Sequence, residues 1–286
     1  MPAVYVAIAT PLDSKGAFDA QAMSRLIAHL HDAGVDGIVP CGTTGEGPSF
    51  SVAERSEIIR HCISARAGLG VIAGTGCQSL SDTITLTNAA LAAGVDACLI
   101  LPPFFFKQAG EHGVLAWYRA VCDALPRNSK IVLYHIPPMT GVPITPTIID
   151  GLLESHPTHI AGIKDSGVDA AHTAMLTARY PQLAIYTGNA PILAQAIRDG
   201  AAGSILAVAN IVPRSVRILT DDLARDDAQV HLAAVDCYIR KVGAVATIKA
   251  ILAQSGVPVG IPLPPQLPHP DAADAYRVFS DFPAPA

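Results

Sequence analysis

Eight short apolar runs recur along the first three quarters of the chain. They are Val4–Ala9, Gly37–Cys41, Gly70–Gly74, Ala97–Leu101, Lys130–His135, His159–Ile163, Leu183–Thr187 and Gly203–Ala207. Polar and apolar residues do not alternate within them, which is the pattern of parallel strands covered on both faces. Between the runs the apolar period changes. Met23, Leu26, Ile27 and Leu30 fall on one helical face, and helical stretches are predicted at Val52–Ala67, Leu80–Ala93, His112–Ala124, Thr147–Ser155 and Ile192–Asp199. One junction repeats: Asp32-Ala33-Gly34-Val35-Asp36-Gly37 returns as Ala92-Ala93-Gly94-Val95-Asp96-Ala97. In each copy a helix ends on a glycine, which suits the left-handed residue after a helix, and a strand follows.

Eight strand–helix units in about 220 residues predict an α/β fold, a TIM (β/α)8 barrel. A doubly wound open sheet is the alternative, but the first turn, at Thr10-Pro11, lacks the GxGxxG pattern. The barrel is expected over residues 1–213, its last helix running to about 226, with a C-terminal helical region over 227–286. Within that region Val230–Ala253 reads as one long helix containing Gly243. A proline-rich extended segment (Pro258, Pro262, Pro264, Pro265, Pro268, Pro270) and a short last helix follow.

Composition narrows the function. Half of the 286 residues are hydrophobic and the mean hydropathy is +0.38, yet no apolar run reaches the roughly 18 residues of a membrane span. The surplus points to buried strands and a subunit interface. A net charge of −5 with dispersed basic residues argues against nucleic acid as partner. The N-terminus has no basic segment ahead of its apolar run and reads as a first strand, not a signal peptide. Six scattered cysteines without a CxxC pair read as small buried hydrophobes in a reducing cytoplasm, not as a metal site or disulfide framework.

The candidate chemistry sits where a barrel keeps it, at the C-terminal ends of strands. Thr43 and Thr44 follow the second strand in Gly42-Thr43-Thr44-Gly45-Glu46. Tyr134 ends the fifth and Lys164 the sixth. Taken singly, Lys164 is a solvated loop lysine, Tyr134 a core tyrosine, the glycine-flanked threonines a turn and Glu46 a helix cap. Together they supply an amine, a phenol and two hydroxyls, the groups for Schiff-base chemistry on a keto acid.

These segments, with Ala73-Gly74-Thr75-Gly76, Pro102-Pro103-Phe104-Phe105, Tyr134 through Gly141, Gly162-Ile163-Lys164-Asp165 and Gly188, resemble the dihydrodipicolinate synthase / N-acetylneuraminate lyase family of class I aldolases. The resemblance covers nearly the whole chain. It implies a TIM barrel with a C-terminal helical region, usually a tetramer, with Lys164 as the Schiff-base lysine for pyruvate or another 2-keto acid. Tyr134 would shuttle protons, with Thr43 linking it to a relay. Thr44 and backbone N–H groups of its turn would hold the substrate carboxylate, and the Ile205 backbone would lie beside the keto acid. No metal or organic cofactor is implied.

Four residues at three places depart from the family pattern. Phe105 stands where many members carry a relay tyrosine that crosses a subunit boundary, and phenylalanine transfers no proton. Met139 stands where dihydrodipicolinate synthases carry an arginine for the second substrate's carboxylate. In Gly188-Asn189-Ala190-Pro191, Ala190 and Pro191 replace acidic residues that hold sugar hydroxyls in the lyases, leaving Asn189 as the polar side chain there. The expected function is an aldolase or lyase joining or splitting pyruvate and an aldehyde through a 2-keto-3-deoxy acid with few hydroxyls. A dehydratase of such acids and dihydrodipicolinate synthase itself stay open. So does a catalytically reduced keto-acid-binding protein.

Overall fold

The computed structural model describes residues 1–167, 169–282 and 285. Its centre is a closed, all-parallel barrel in which each strand pairs with the next and the eighth pairs with the first. The strands are β1 (Ala3–Val6), β2 (Gly37–Ile38), β3 (Gly70–Gly74), β4 (Ala97–Ile100), β5 (Ile131–His135), β6 (Ile160–Asp165), β7 (Ala184–Thr187) and β8 (Gly203–Leu206). Closure leaves no sheet edge and excludes the open doubly wound sheet. Helices α1 (Ala20–Asp32), α2 (Val52–Ala65), α3 (Leu80–Ala93) and α4 (Gly110–Asp123) follow the first four strands. After β5 come a single turn, α5 (Pro137–Thr140), and then α6 (Pro146–Ser155). Helices α7 (Ala170–Arg179), α8 (Leu193–Arg198) and α9 (Pro213–Asp221) complete the ring.

Both faces of every strand are covered, which explains the absence of alternation. Ala7, Val39, Ile72, Leu99, Val132, Tyr134 and Ile205 fill the interior. Met23, Leu26, Ile27, Ile58, Ile59, Leu86 and Ile148 belong to the larger layer between strands and helices. Each fully buried side chain of this kind stabilises the fold by about 1.5–3 kcal/mol. The repeated junctions behave as predicted: Gly34 and Gly94 take φ of 80° and 92°, a left-handed conformation that costs glycine nothing.

Two apolar runs are longer than the strands they contain. Beyond Val6, the Ala9 amide donates to Asn210 Oδ1 rather than to a neighbouring strand. Beyond Ile38, Cys41 leaves the strand with φ 57°. Burial continues past the ladder in both, and burial is what the pattern reports.

The C-terminal region corrects one expectation. Val230–Ala253 is not one helix. Helix α10 (Asp226–Val242) stops at Gly243 and α11 (Ala244–Gln254) starts after it. Gly243 has φ 123°, ψ 104°, outside the helical region. The apolar period survives the break, so periodicity alone misses it. After the proline-rich segment, α12 (Ala272–Ser280) packs on α11. No helix among the described residues is long and apolar enough to cross a membrane.

Candidate active site

Register puts the phenol and the amine side by side. Strands β5 and β6 pair Tyr134 with Lys164 and His135 with Asp165. Alternation along a strand then sends Tyr134 and Lys164 to one face and His135 and Asp165 to the other. Lys164 is 4% exposed and Tyr134 3%. Lys164 Nζ donates to Tyr134 Oη at 3.3 Å and lies 4.4 Å from the centre of its ring. Tyr134 Oη is 3.1 Å from Thr43 Oγ1. An amine, a phenol and a hydroxyl thus form one continuous chain through which a proton can pass.

Thr43 and the buried Thr44 belong to a turn that the rest of the molecule holds tightly. The Glu46 amide donates to Thr43 O and the Gly47 amide to Gly42 O, and Thr10 Oγ1 donates to Gly45 O at 2.6 Å. Cys41 and Glu46 flank the turn with positive φ of 57° and 55°. Each is a backbone strain of about 1 kcal/mol or more for a non-glycine residue. A capping box between Ser51 and Glu54 then starts α2 immediately after the turn.

Glu46 is not the helix cap expected of it. Its side chain is buried, with Oε1 2.6 Å from Lys249 Nζ on α11, itself 1% exposed. Glu46 Oε2 accepts from the Leu263 amide, and Lys249 also donates to Ile261 O. Burial pulls the Lys249 pKa down, against the raising effect of the Glu46 charge. Sequence reading missed Lys249, because 203 residues separate it from its partner.

The other expected site residues divide. Ile205 lines the barrel interior with Tyr134. The Gly188 amide donates to Asp165 O at 2.6 Å, and a Cβ at Gly188 would strike Ser166 Oγ. Asn189 is buried and its side-chain amide donates to Gly167 O, so it ties the β7 end to the β6 end. Phe105 and Met139 are not part of the buried group. They are 72% and 69% exposed, and Phe105 packs edge-on against Phe106.

A recess of about 20 Å³ adjoins Thr43, Tyr134, Arg55 and Leu101. A far larger cavity of about 650 Å³ lies between α1, α9, α10 and α12, lined by His29, Arg214, His231 and Phe279. Size favours the second, but Thr43 and Tyr134 line the first, and Tyr134 Oη is bonded to Lys164 Nζ. Chemistry decides, and the candidate site is at the recess.

The sequence profile of the dihydrodipicolinate synthetase family matches residues 1–276. This chain belongs to that family. An uncharacterized DapA-like lyase of Chloroflexus aurantiacus is 46% identical over 256 residues, covering 87% of this chain and 85% of the relative. A 4-hydroxy-tetrahydrodipicolinate synthase of a Synechococcus species is 34% identical over 273 residues, covering 93% and 89%. Among solved structures, the E. coli prophage protein YagE in complex with pyruvate superposes with a TM-score of 0.91 at 25% identity, covering 99% of this chain and 98% of that one. Proteus mirabilis N-acetylneuraminate lyase has the same fold at 23% identity, with a TM-score of 0.91 and 99% of each chain covered. As a member of this dihydrodipicolinate synthetase family the chain is a class I, Schiff-base aldolase or lyase.

Proposed function

We propose that Lys164 condenses with pyruvate or a related 2-keto acid and that the resulting imine makes or breaks a carbon–carbon bond to an aldehyde. The observation that carries this reading is the chain from buried Lys164 and Tyr134 to part-buried Thr43 at the C-terminal ends of the strands. The Lys164 amine attacks the keto carbon, Tyr134 gives a proton to the carbinolamine hydroxyl, and water leaves. The protonated imine draws the electrons of the adjacent carbon–carbon bond into an enamine while Tyr134 takes the proton of the substrate hydroxyl and the aldehyde departs. Thr43 connects Tyr134 to the relay. Thr44 and amides of its turn hold the carboxylate, which needs donors in a closed pocket. Ile205 and Gly188 contribute backbone beside the keto acid.

Borohydride added with pyruvate is expected to leave a reduced pyruvyl adduct on Lys164, located by peptide mass spectrometry. An adduct that persists in Lys164→Ala removes Lys164 from this role.

The distal end of the substrate is read as apolar or lightly hydroxylated, a 2-keto-3-deoxy acid product. Met139 offers no guanidinium, and Ala190 and Pro191 offer no carboxylate. The second reading, 4-hydroxy-tetrahydrodipicolinate synthase, is favoured by relatives of that name. Each charge-assisted bond of an arginine fork contributes roughly 1.5–3 kcal/mol. Aspartate semialdehyde is therefore expected to condense with pyruvate more slowly than an uncharged aldehyde of similar size in a coupled assay. The reverse order promotes the second reading. The exposed Phe105 and Phe106 support a subunit interface, consistent with a cytoplasmic homotetramer.

A further inference from the structure

The residues that follow the amine and the phenol form a second group on the opposite face of the strands. Asp165, 0% exposed, accepts from the Gly167 amide at 3.0 Å through Oδ1. Its Oδ2 accepts from Thr173 Oγ1 at 2.7 Å and pairs with His172 Nδ1 at 3.0 Å. The His135 ring stacks on His172, centroids 4.3 Å apart and planes 23° apart, and its Nε2 lies 4.0 Å from Asp165 Oδ1. His135 Nδ1 accepts from the Ile144 amide, which places the imidazole proton on Nε2. Although His135, Asp165 and His172 bring three donor atoms together, they do not converge on one ion. Stacked rings direct their in-plane lone pairs side by side, and the carboxylate already takes three hydrogen bonds.

We propose that His172 and Asp165 form a charged positioning pair that locks the β5 and β6 ends so that Lys164 and Tyr134 stay within proton-transfer distance. The backbone links are direct. Asp165 O accepts from the Gly188 amide, His135 O accepts from the Ser166 amide, and Lys164 and Tyr134 are the preceding residues on each strand. A buried carboxylate needs a partner, and His172 on α7 is its cationic one. If the charge on His172 is lost, Asp165 keeps only neutral donors and the strand ends loosen. This inference rests on the imine reading above and adds residues that never touch substrate.

The groups acting on His172 are Asp165 on β6, Asp169 at the start of α7 and His135 on β5. The Asp165 bond raises the His172 pKa, against burial. Burial pushes the Asp165 pKa up, but the bonds from His172, Thr173 and Gly167 together bring it below the usual carboxylate range. Burial, then the His172 charge, lower His135 to about 4, so it stays neutral. A raised histidine contributes fully below its ordinary value of about 6.5 and is lost as pH climbs through the raised one. A lowered aspartate contributes fully above about 3.9 and is lost as acid passes the lowered one. The pair is complete between these limits.

The test is the rate of borohydride-trapped adduct formation with pyruvate across pH, in the unmodified protein and in His172→Gln, which keeps a donor without charge. At pH 6 the variant is expected to be about 10- to 10²-fold slower, the scale of a small misplacement. The ratio should shrink toward one as pH rises and the native His172 itself loses charge. A ratio constant with pH, or equal to one throughout, overturns the pair while leaving the imine reading intact. No adduct in the unmodified protein overturns the imine reading instead. Independently of any variant, the NMR titration of the His172 ring should share its midpoint with the alkaline fall of the trapping rate, and separate midpoints overturn the pair.

Discussion

Tyr134→Phe is expected to lower turnover by about 10²–10⁴-fold, the usual worth of positioned acid–base catalysis. The substitution removes one oxygen from a side chain that is 3% exposed, and that oxygen joins Lys164 at 3.3 Å to Thr43 at 3.1 Å. The ring stays packed among Val132, Ile136 and Ile205, so the thermal midpoint should scarcely move. Steady-state kinetics with pyruvate and an accepted aldehyde, beside a melting curve, check both parts. Turnover within a few-fold of the parent returns Tyr134 to a packing role.

Lys249→Met is expected to destabilise the protein by about 3–5 kcal/mol, the cost of removing one partner of a buried ion pair. Glu46 would keep the Leu263 amide but lose its 2.6 Å cation. Glu46→Gln combined with Lys249→Met should recover much of that loss, because no uncompensated charge is then buried. Denaturant unfolding of the single and double variants measures the difference. Equal destabilisation in the two would show that packing around Lys249, not the Glu46 charge, is what matters.

Most of the barrel was legible because short runs buried on both faces give a continuous apolar signal, and eight of them with intervening helices admit few closures. Their ends were less legible. Ala7 to Ala9 and Val39 to Cys41 stay buried after the ladder stops, and burial is all the pattern records. Gly243 shows the opposite limit. A helical glycine costs only about 1 kcal/mol relative to alanine, so the letter alone does not announce the break that φ 123° makes.

Within the site, Lys164, Tyr134 and Thr43 could be named because the first two end strands and the third follows one; register pairs Tyr134 with Lys164, and the turn after β2 brings Thr43 to Tyr134. The Glu46–Lys249 and Asp165–His172 contacts could not. The first joins residues 203 positions apart. The second depends on which way α7 faces, although strand alternation already puts Asp165 opposite Lys164. Phe105 and Met139 were placed by resemblance to other chains, and in this one both side chains stand exposed, Phe105 midway between β4 and α4 and Met139 on the single turn α5.

The turn that carries Thr43 and Thr44 is synthesised early and finished late. Its Glu46 is neutralised by Lys249 and capped by Leu263, while β1 waits for β8 and for Asn210, which bonds Ala7 and Ala9. Synthesis must therefore pass Leu263 before this turn can settle, and a nascent chain halted before α11 would carry Lys164 and Tyr134 without a completed turn to face them.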